Sequence, residues 1–191
     1  MKILAFAASN SRLSINKQLI NHSAKIIKTF KRKTTIDIID INDFEMPIYN
    51  IDHEHQQGIP ERAYHLYQKI GEANALLIAF AEHNGHYTAA YKNIFDWMSR
   101  INIKVYQQKP SVFLSSSSGG LGGTNVLKAA KNAALRHGAL LQADLAIPNF
   151  HKVFDAKHGK FTQPGIESVL TSTLAEIFVP QHNQTEIRAL S

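Results

Sequence analysis

The chain has 191 residues, 44% hydrophobic and 19% charged, an ordinary globular mix large enough to bury one sizeable core. It has no cysteine, which excludes disulfides, thiolate nucleophiles and zinc–thiolate sites. The net charge of +6 raises nucleic acid as a partner, but the excess gathers in Lys25, Lys28, Lys31, Arg32 and Lys33 with no aromatic platform among them. A solvated helix end, where cations complement the dipole, accounts for that cluster. No apolar run approaches the ~20 residues that span a bilayer. The apolar start, Ile3 to Ala8, is too short for a secretory signal. The expectation is a soluble, cytoplasmic protein with neither a nucleic-acid nor a membrane partner.

Residues 2–8 are an apolar run of strand length. Leu19, Ile20, Ile26, Ile27 and Phe30 then recur at helical spacing, with Ser14 or Asn16 as the N-cap. Between strand and helix stands Ser9-Asn10-Ser11-Arg12-Leu13-Ser14-Ile15-Asn16. Small hydroxyl and amide side chains and one arginine at a helix N-terminus suit a phosphate monoester, because unpaired N–H groups and the dipole favour an anion there.

Residues 34–41 read as a β-branched second strand, and residues 42–60 as a long loop without a period. A helix is expected over 61–71, with Ala63, Leu66, Tyr67 and Ile70 on one face. Residues 75–80 form a continuously apolar central strand. After a polar loop, Glu82-His83-Asn84-Gly85-His86, comes a helix with Ala90, Tyr91, Ile94, Phe95 and Met98 inward. A fourth strand over 111–114 leads into a Ser/Gly loop at 115–123, whose glycines let main-chain N–H groups approach a planar ligand. A helix over 124–137 with Gly138 at C′, a strand over 139–146, irregular chain over 148–164 and a helix over 165–178 complete the pattern. Residues 179–191 read as a polar, frayed tail.

Alternating strands and helices imply a parallel sheet covered on both faces, with right-handed crossovers. Ligands bind outside the carboxyl ends of such strands. The loops after the first, third and fourth strands are the unusual ones, so they converge on one edge. The dinucleotide fingerprint and the Walker pattern are both absent. His53 with His55, and His83 with His86, lack the helix spacing and acidic company of a metal site, so no metal is expected. Trp97 and Asp96 are read as docking their helix rather than catalysing anything.

Three segments together resemble the NAD(P)H-dependent FMN reductase family, the flavodoxin-like group of quinone, chromate and azo-dye reductases. Ser9-Asn10-Ser11-Arg12-Leu13-Ser14-Ile15-Asn16-Lys17 is similar to the family's phosphate loop. Ala81-Glu82-His83-Asn84-Gly85, with Lys92-Asn93-Ile94-Phe95-Asp96-Trp97, resembles its Pro-Glu-Tyr-Asn-Gly and Leu-Lys-Asn-Ala-x-Asp-Trp pair. Lys109-Pro110 through the Ser/Gly loop to Gly138-Ala139 resembles the segment that closes over the flavin, and Phe154-Asp155 with Gly159 a late turn of the family.

The resemblance implies a flavodoxin-like three-layer sandwich, its five-stranded parallel sheet in order 2-1-3-4-5, as one domain over residues 1–180. It implies FMN as cofactor, NAD(P)H as co-substrate and a small-molecule electron acceptor. Ser9, Ser11, Arg12, Ser14 and Asn16 would hold the phosphate; Glu82, His83, Asn84 and Gly85 would line the ribityl chain and ring. Ser116, Ser117, Ser118, Gly119 and Gly120 would meet the pyrimidine edge. The flavin carries the chemistry, so no side chain is assigned a catalytic role. A homodimer or homotetramer is also implied, with Phe44, Met46, Ile48, Tyr49 and Ile51 as candidate surface. Ala8, Ala81 and His83 depart from the family's usual glycine, proline and tyrosine, and Arg12 stands one residue closer to Ser14 than usual. The alternatives are a flavodoxin-type electron carrier, which its basic charge argues against, and a basic nucleotide- or nucleic-acid-binding module without redox chemistry.

Overall fold

A computed structural model describes residues 1–180. The tail expected at residues 181–191 lies outside the described residues. In chain order come β1 (Lys2–Ala8), α1 (Ile15–Phe30), β2 (Thr35–Ile39), α2 (Ile51–Gln57), α3 (Glu61–Glu72) and β3 (Ala75–Phe80). A short hairpin, β4 (Glu82–His83) and β5 (His86–Tyr87), precedes α4 (Ala89–Ile101), β6 (Lys109–Ser116), α5 (Thr124–Ala134) and β7 (Ala139–Ile147). The chain ends with α6 (Phe150–Val153), a hairpin of β8 (Phe154–Asp155) and β9 (Lys160–Phe161), and α7 (Pro164–Ala175).

The five long strands pair in parallel in the order β2-β1-β3-β6-β7. Counted among themselves, that is the expected 2-1-3-4-5. β1 and β3 are continuously apolar because both faces of each are covered, while the period of two still decides which layer a side chain meets. Leu4, Phe6, Leu76, Ile78 and Phe80 face α3, α4 and α5 through Leu66, Trp97 and Ala130. Ile3, Ala5, Leu77 and Val112 face α1 and α7 through Leu19, Ile27, Leu170 and Leu174. Burying each large side chain of this kind contributes about 1.5–3 kcal/mol.

Five segments differ from expectation. Residues 42–60 are not featureless: a 3₁₀ turn at Ile41–Phe44 and α2 lie in or across that stretch. No residue of α2 is buried, so it leaves no apolar period to read. The segment is fixed by α4, where Asn93 Nδ2 donates to the Met46 and Pro47 carbonyls (3.0 Å each) and Trp97 Nε1 to the Pro47 carbonyl (2.7 Å). Phe44 and Met46 are therefore core residues and Tyr49 packs edge-on against Trp97, while Ile48 is 83% exposed. Asp96 instead pairs with Lys92 on the surface.

β6 extends through Ser115 and Ser116, read from sequence as loop. Their hydroxyls donate to the Gly122 and Ile147 carbonyls (2.9 and 2.7 Å), so burial in a strand leaves no polar group unmet. Residues 148–164 contain α6 and the β8–β9 hairpin, packed by the stacked pair Phe150–Phe154 and by Phe161. The helices expected over 124–137 and 165–178 end earlier, at Ala134 and Ala175, the latter followed by a 3₁₀ turn at Glu176–Phe178.

Candidate active site

The loops after β1, β3 and β6 are tied together by three side chains. Thr88 Oγ1 donates to the Ala8 carbonyl (3.1 Å) while capping α4 at the Tyr91 N–H (3.2 Å). Asn16 Nδ2 donates to the Ser116 carbonyl (3.0 Å) and its Oδ1 accepts the Ser116 N–H (2.9 Å). Glu82 Oε2 accepts the Val126 N–H (2.9 Å). The predicted convergence of the three loops is thus a set of specific bonds across the carboxyl edge of the sheet.

In the first loop Ser14 is the N-cap of α1, accepting the Lys17 N–H at 3.3 Å, and Ser9 Oγ accepts the Ser11 N–H at 3.3 Å. The N–H groups of Asn10, Arg12, Leu13, Ile15 and Asn16 have no protein partner among the described residues. Those of Ile15 and Asn16 open α1, so the positive end of its dipole adds to them. Arg12 is exposed and its guanidinium is unpaired among the described residues. Lys17, by contrast, is held by Asp40. Partial burial pushes the Asp40 carboxyl up, but bonds from Lys17 and Asn42 more than offset this and hold it below its ordinary range. The loop is a cradle of unpartnered N–H groups with a cation, Arg12, unpaired among the described residues beside it, an arrangement that suits an anion. Asn16 is a correction for its side chain only: its amide is committed to Ser116 and braces the cradle, while its N–H stays among the cradle's donors.

The second loop is a two-residue hairpin. Asn84 and Gly85 take φ of +51° and +80°, the primed turn that matches strand twist, and set His83 opposite His86. The Asn-Gly dipeptide was the sequence signal for it, missed by reading the stretch only as polar loop. His83 is exposed, and its ring makes no hydrogen bond, ion pair or ring contact among the described residues. Tyr87 packs on Phe80 and Tyr91, and burial pushes its phenol up to about 12, so it stays protonated near neutral pH. Glu82 is the second correction: its carboxylate is bound to the start of α5 and is not a free lining group.

The fourth-strand loop presents backbone. Ser116 is buried in β6 with its hydroxyl, N–H and carbonyl all bonded inside the protein, a third correction. The N–H groups of Ser117, Ser118, Gly119, Gly120 and Leu121 have no partner among the described residues, while the carbonyls of Ser117 and Gly119 are held by the N–H groups of Phe150 and Asn149. A Cβ on Gly120 would meet nothing within 4 Å, and one on Gly119 only Ser117 Oγ at 3.9 Å. A Cβ on Gly122 would lie 2.8 Å from the Ile147–Pro148 backbone, at φ +62°. Sequence reading assigned close approach to the loop as a whole; the structure divides it between Gly119 and Gly120, open to a ligand, and Gly122 and Gly123, required by the protein's own packing.

A cleft of about 360 Å³ adjoins the cradle at Asn10, walled by Met46, Ile48, Ala90 and Asn93. The wall at 41–48 was not assigned to any site from the sequence. A groove of about 400 Å³ at residues 29–34 lies at the far end of α1, away from all three loops.

The family model for NADPH-dependent FMN reductase matches residues 1–152. The chain belongs to this family. A 2-hydroxy-1,4-benzoquinone reductase from a Burkholderia species is 32% identical over 123 residues, 64% of this chain and 63% of that protein. An NADPH:quinone oxidoreductase of Arabidopsis thaliana is 31% identical over 123 residues, 64% of this chain and 61% of that protein. The chain thus spans less than two thirds of the length of either relative. The flavoenzyme FerB, an NAD(P)H:(acceptor) oxidoreductase of Paracoccus denitrificans, shares the fold at TM-score 0.75 and 23% identity, covering 92% of this chain and 94% of that one.

The FMN reductase family implies a flavin phosphate and ring, and two features of this chain fit them. The cradle with unpaired N–H groups and Arg12 suits a dianion. The unpartnered N–H run at 117–121, beside glycines with open space, suits the carbonyl-rich edge of a planar ring. No helix among the described residues is long and apolar enough to cross a membrane.

Proposed function

We propose that this chain binds FMN at the carboxyl edge of its sheet and uses NAD(P)H to reduce a flavin, quinone or similar small-molecule acceptor in two half-reactions. The observation that carries the reading is the cradle of N–H groups at the start of α1, bonded through Asn16 to a loop with five N–H groups unpartnered among the described residues. Bound FMN supplies the hydride chemistry itself. The chain supplies position and electrostatics. Ser9, Ser11, Arg12 and Ser14, with the N–H groups of Ile15 and Asn16, hold the phosphate. Asn84 and Gly85 form one wall of the ring site and residues 117–121 the other. Donors of that second wall, fixed before any reaction, stabilise negative charge that develops at the pyrimidine edge, at no reorganisation cost. No side chain acts as general acid or base in this reading.

A single flavodoxin-like domain over residues 1–180, a cytoplasmic location and a homo-oligomer belong to the same proposal. Ile48, at the cleft, and Ile51 are exposed and are the surface for assembly; Phe44 and Met46 are excluded by burial.

The purified protein should be yellow or take up FMN stoichiometrically, oxidise NADH or NADPH with benzoquinone, and accept electrons from dithionite in a single two-electron step. A colourless protein that takes up no FMN refutes the reading. Strong one-electron behaviour with no NAD(P)H turnover favours the electron carrier instead.

A further inference from the structure

α5 starts without a cap of its own. Its N-cap, Gly123, has no side chain to receive first-turn N–H groups, and that turn holds no acidic residue. Glycine is required there: φ is +79°, and a Cβ would lie 3.0 Å from the Cβ of Ser115. The Ser, Thr, Asp or Asn that ordinarily caps a helix therefore has no place at this position. The missing acceptor comes from 44 residues upstream, where Glu82 Oε2 takes the N–H of Val126, the third residue of the helix, at 2.9 Å. A carboxylate suits that end of the dipole. Glu82 also begins β4, in a hairpin of only two residue pairs. So short a hairpin has little stability alone and needs an anchor.

We propose that Glu82 is a positioning residue. By capping α5 from the hairpin, its carboxylate fixes the gap between the β4–β5 turn and the N–H run at 117–121. This deepens the flavin reading and rests on it for what occupies the gap; the latch itself needs no ligand. One bond then does two things that the local sequence of neither element can do. It completes the helix start that Gly123 leaves open, and it holds the two walls of the ring site at one separation.

Glu82→Gln keeps an oxygen acceptor; Glu82→Ala removes it. In the full-length apoprotein the Val126 amide should exchange about tenfold faster in Glu82→Ala and within about threefold of the parent rate in Glu82→Gln. The chain has no cysteine, so His83→Cys with Leu121→Cys accepts a pair of spin labels without competing thiols. The label-to-label distance distribution should broaden with Glu82→Ala and stay narrow with Glu82→Gln. Release of added FMN should quicken about tenfold in the alanine variant only. Val126 exchange unchanged in Glu82→Ala overturns the latch, and faster exchange with an unchanged distance distribution overturns the positioning role. If the parent protein takes up no FMN, the flavin reading fails, and the two ligand-free readouts still decide the latch.

Discussion

The two serine-rich loops of this chain look alike in composition and are built in opposite ways. In the first, residues 9–14, side chains are left available: the Ser11 hydroxyl and the Arg12 guanidinium are unpartnered among the described residues, beside N–H groups that a helix start cannot satisfy internally. In the second, residues 115–123, Ser115, Ser116 and Ser117 direct their hydroxyls to carbonyls of the protein, and the N–H groups of residues 117–121 have no partner among the described residues. Serine content therefore does not identify a ligand site. What separates the loops is whether a nearby carbonyl already accepts the hydroxyl, a tertiary fact with no local signature.

The largest expected effect comes from reversing the charge of the first loop. Ser11→Asp with Ser14→Asp puts two carboxylates against a phosphate dianion, each like-charge contact at ~4 Å costing on the order of 4 kcal/mol at an effective dielectric near 20. Aspartate caps helices as well as serine, so α1 should persist. Flavin affinity, followed by fluorescence quenching, should fall by more than about 10³-fold with an unchanged far-UV spectrum. Retained affinity would remove the first loop from the site.

The second loop is probed by its glycines. Gly122→Ala forces a Cβ to 2.8 Å from the Ile147–Pro148 backbone at a positive φ. A loss of about 1–3 kcal/mol of stability is expected from that strain. Gly120→Ala meets nothing in the protein. Its urea midpoint should match the parent's while FMN affinity drops about tenfold, because the new methyl group occupies ligand space. If the two variants behave alike, the division of this loop into packing and binding glycines is wrong.

These contrasts also mark how far the sequence could be read. The parallel sheet, its order and the edge carrying the loops were legible, because apolar runs of strand length alternate with helical periods and the handedness rule limits the topology. The place of Ser9, Ser11, Arg12 and Ser14 just before a helix start was legible for a local reason: an apolar strand stops there and Ser14 caps the helical period that follows. The side-chain bonds of Asn16, Glu82 and Ser116 had no local signature, because their partners lie 100, 44 and 31 residues away. α2 was missed because it buries nothing, and the β4–β5 turn because its Asn-Gly signal went unused.

An effect of similar size separates affinity from stability at Arg12. With no protein partner among the described residues, Arg12→Gln should leave the melting temperature where it is. Loss of a charge-assisted bond to phosphate should weaken FMN binding by about 1.5–3 kcal/mol, and that loss should shrink as salt rises. A lowered melting temperature would mean that Arg12 holds the loop rather than the ligand.

The smallest effect tests the other cation of this region. Lys17 and Asp40 join the first turn of α1 to the chain just past β2, and Asn42 adds its own bonds to the same carboxylate. Burial alone would raise the Asp40 carboxyl, yet these partners leave it below its ordinary range. A carboxyl lowered in the folded state stabilises the fold above its unfolded value of about 3.9, and that contribution is lost as pH falls through the lower folded value. The pair is partly exposed, so at neutral pH Asp40→Asn should cost no more than about 1 kcal/mol. Urea midpoints of the two proteins should differ most at neutral pH and draw together below about pH 4. FMN affinity at neutral pH should be the same for both, since Lys17 serves the fold and Arg12 the ligand. Tighter FMN binding by Asp40→Asn would show that Lys17, once released, reaches the phosphate, and the first loop would then have two ligand cations rather than one.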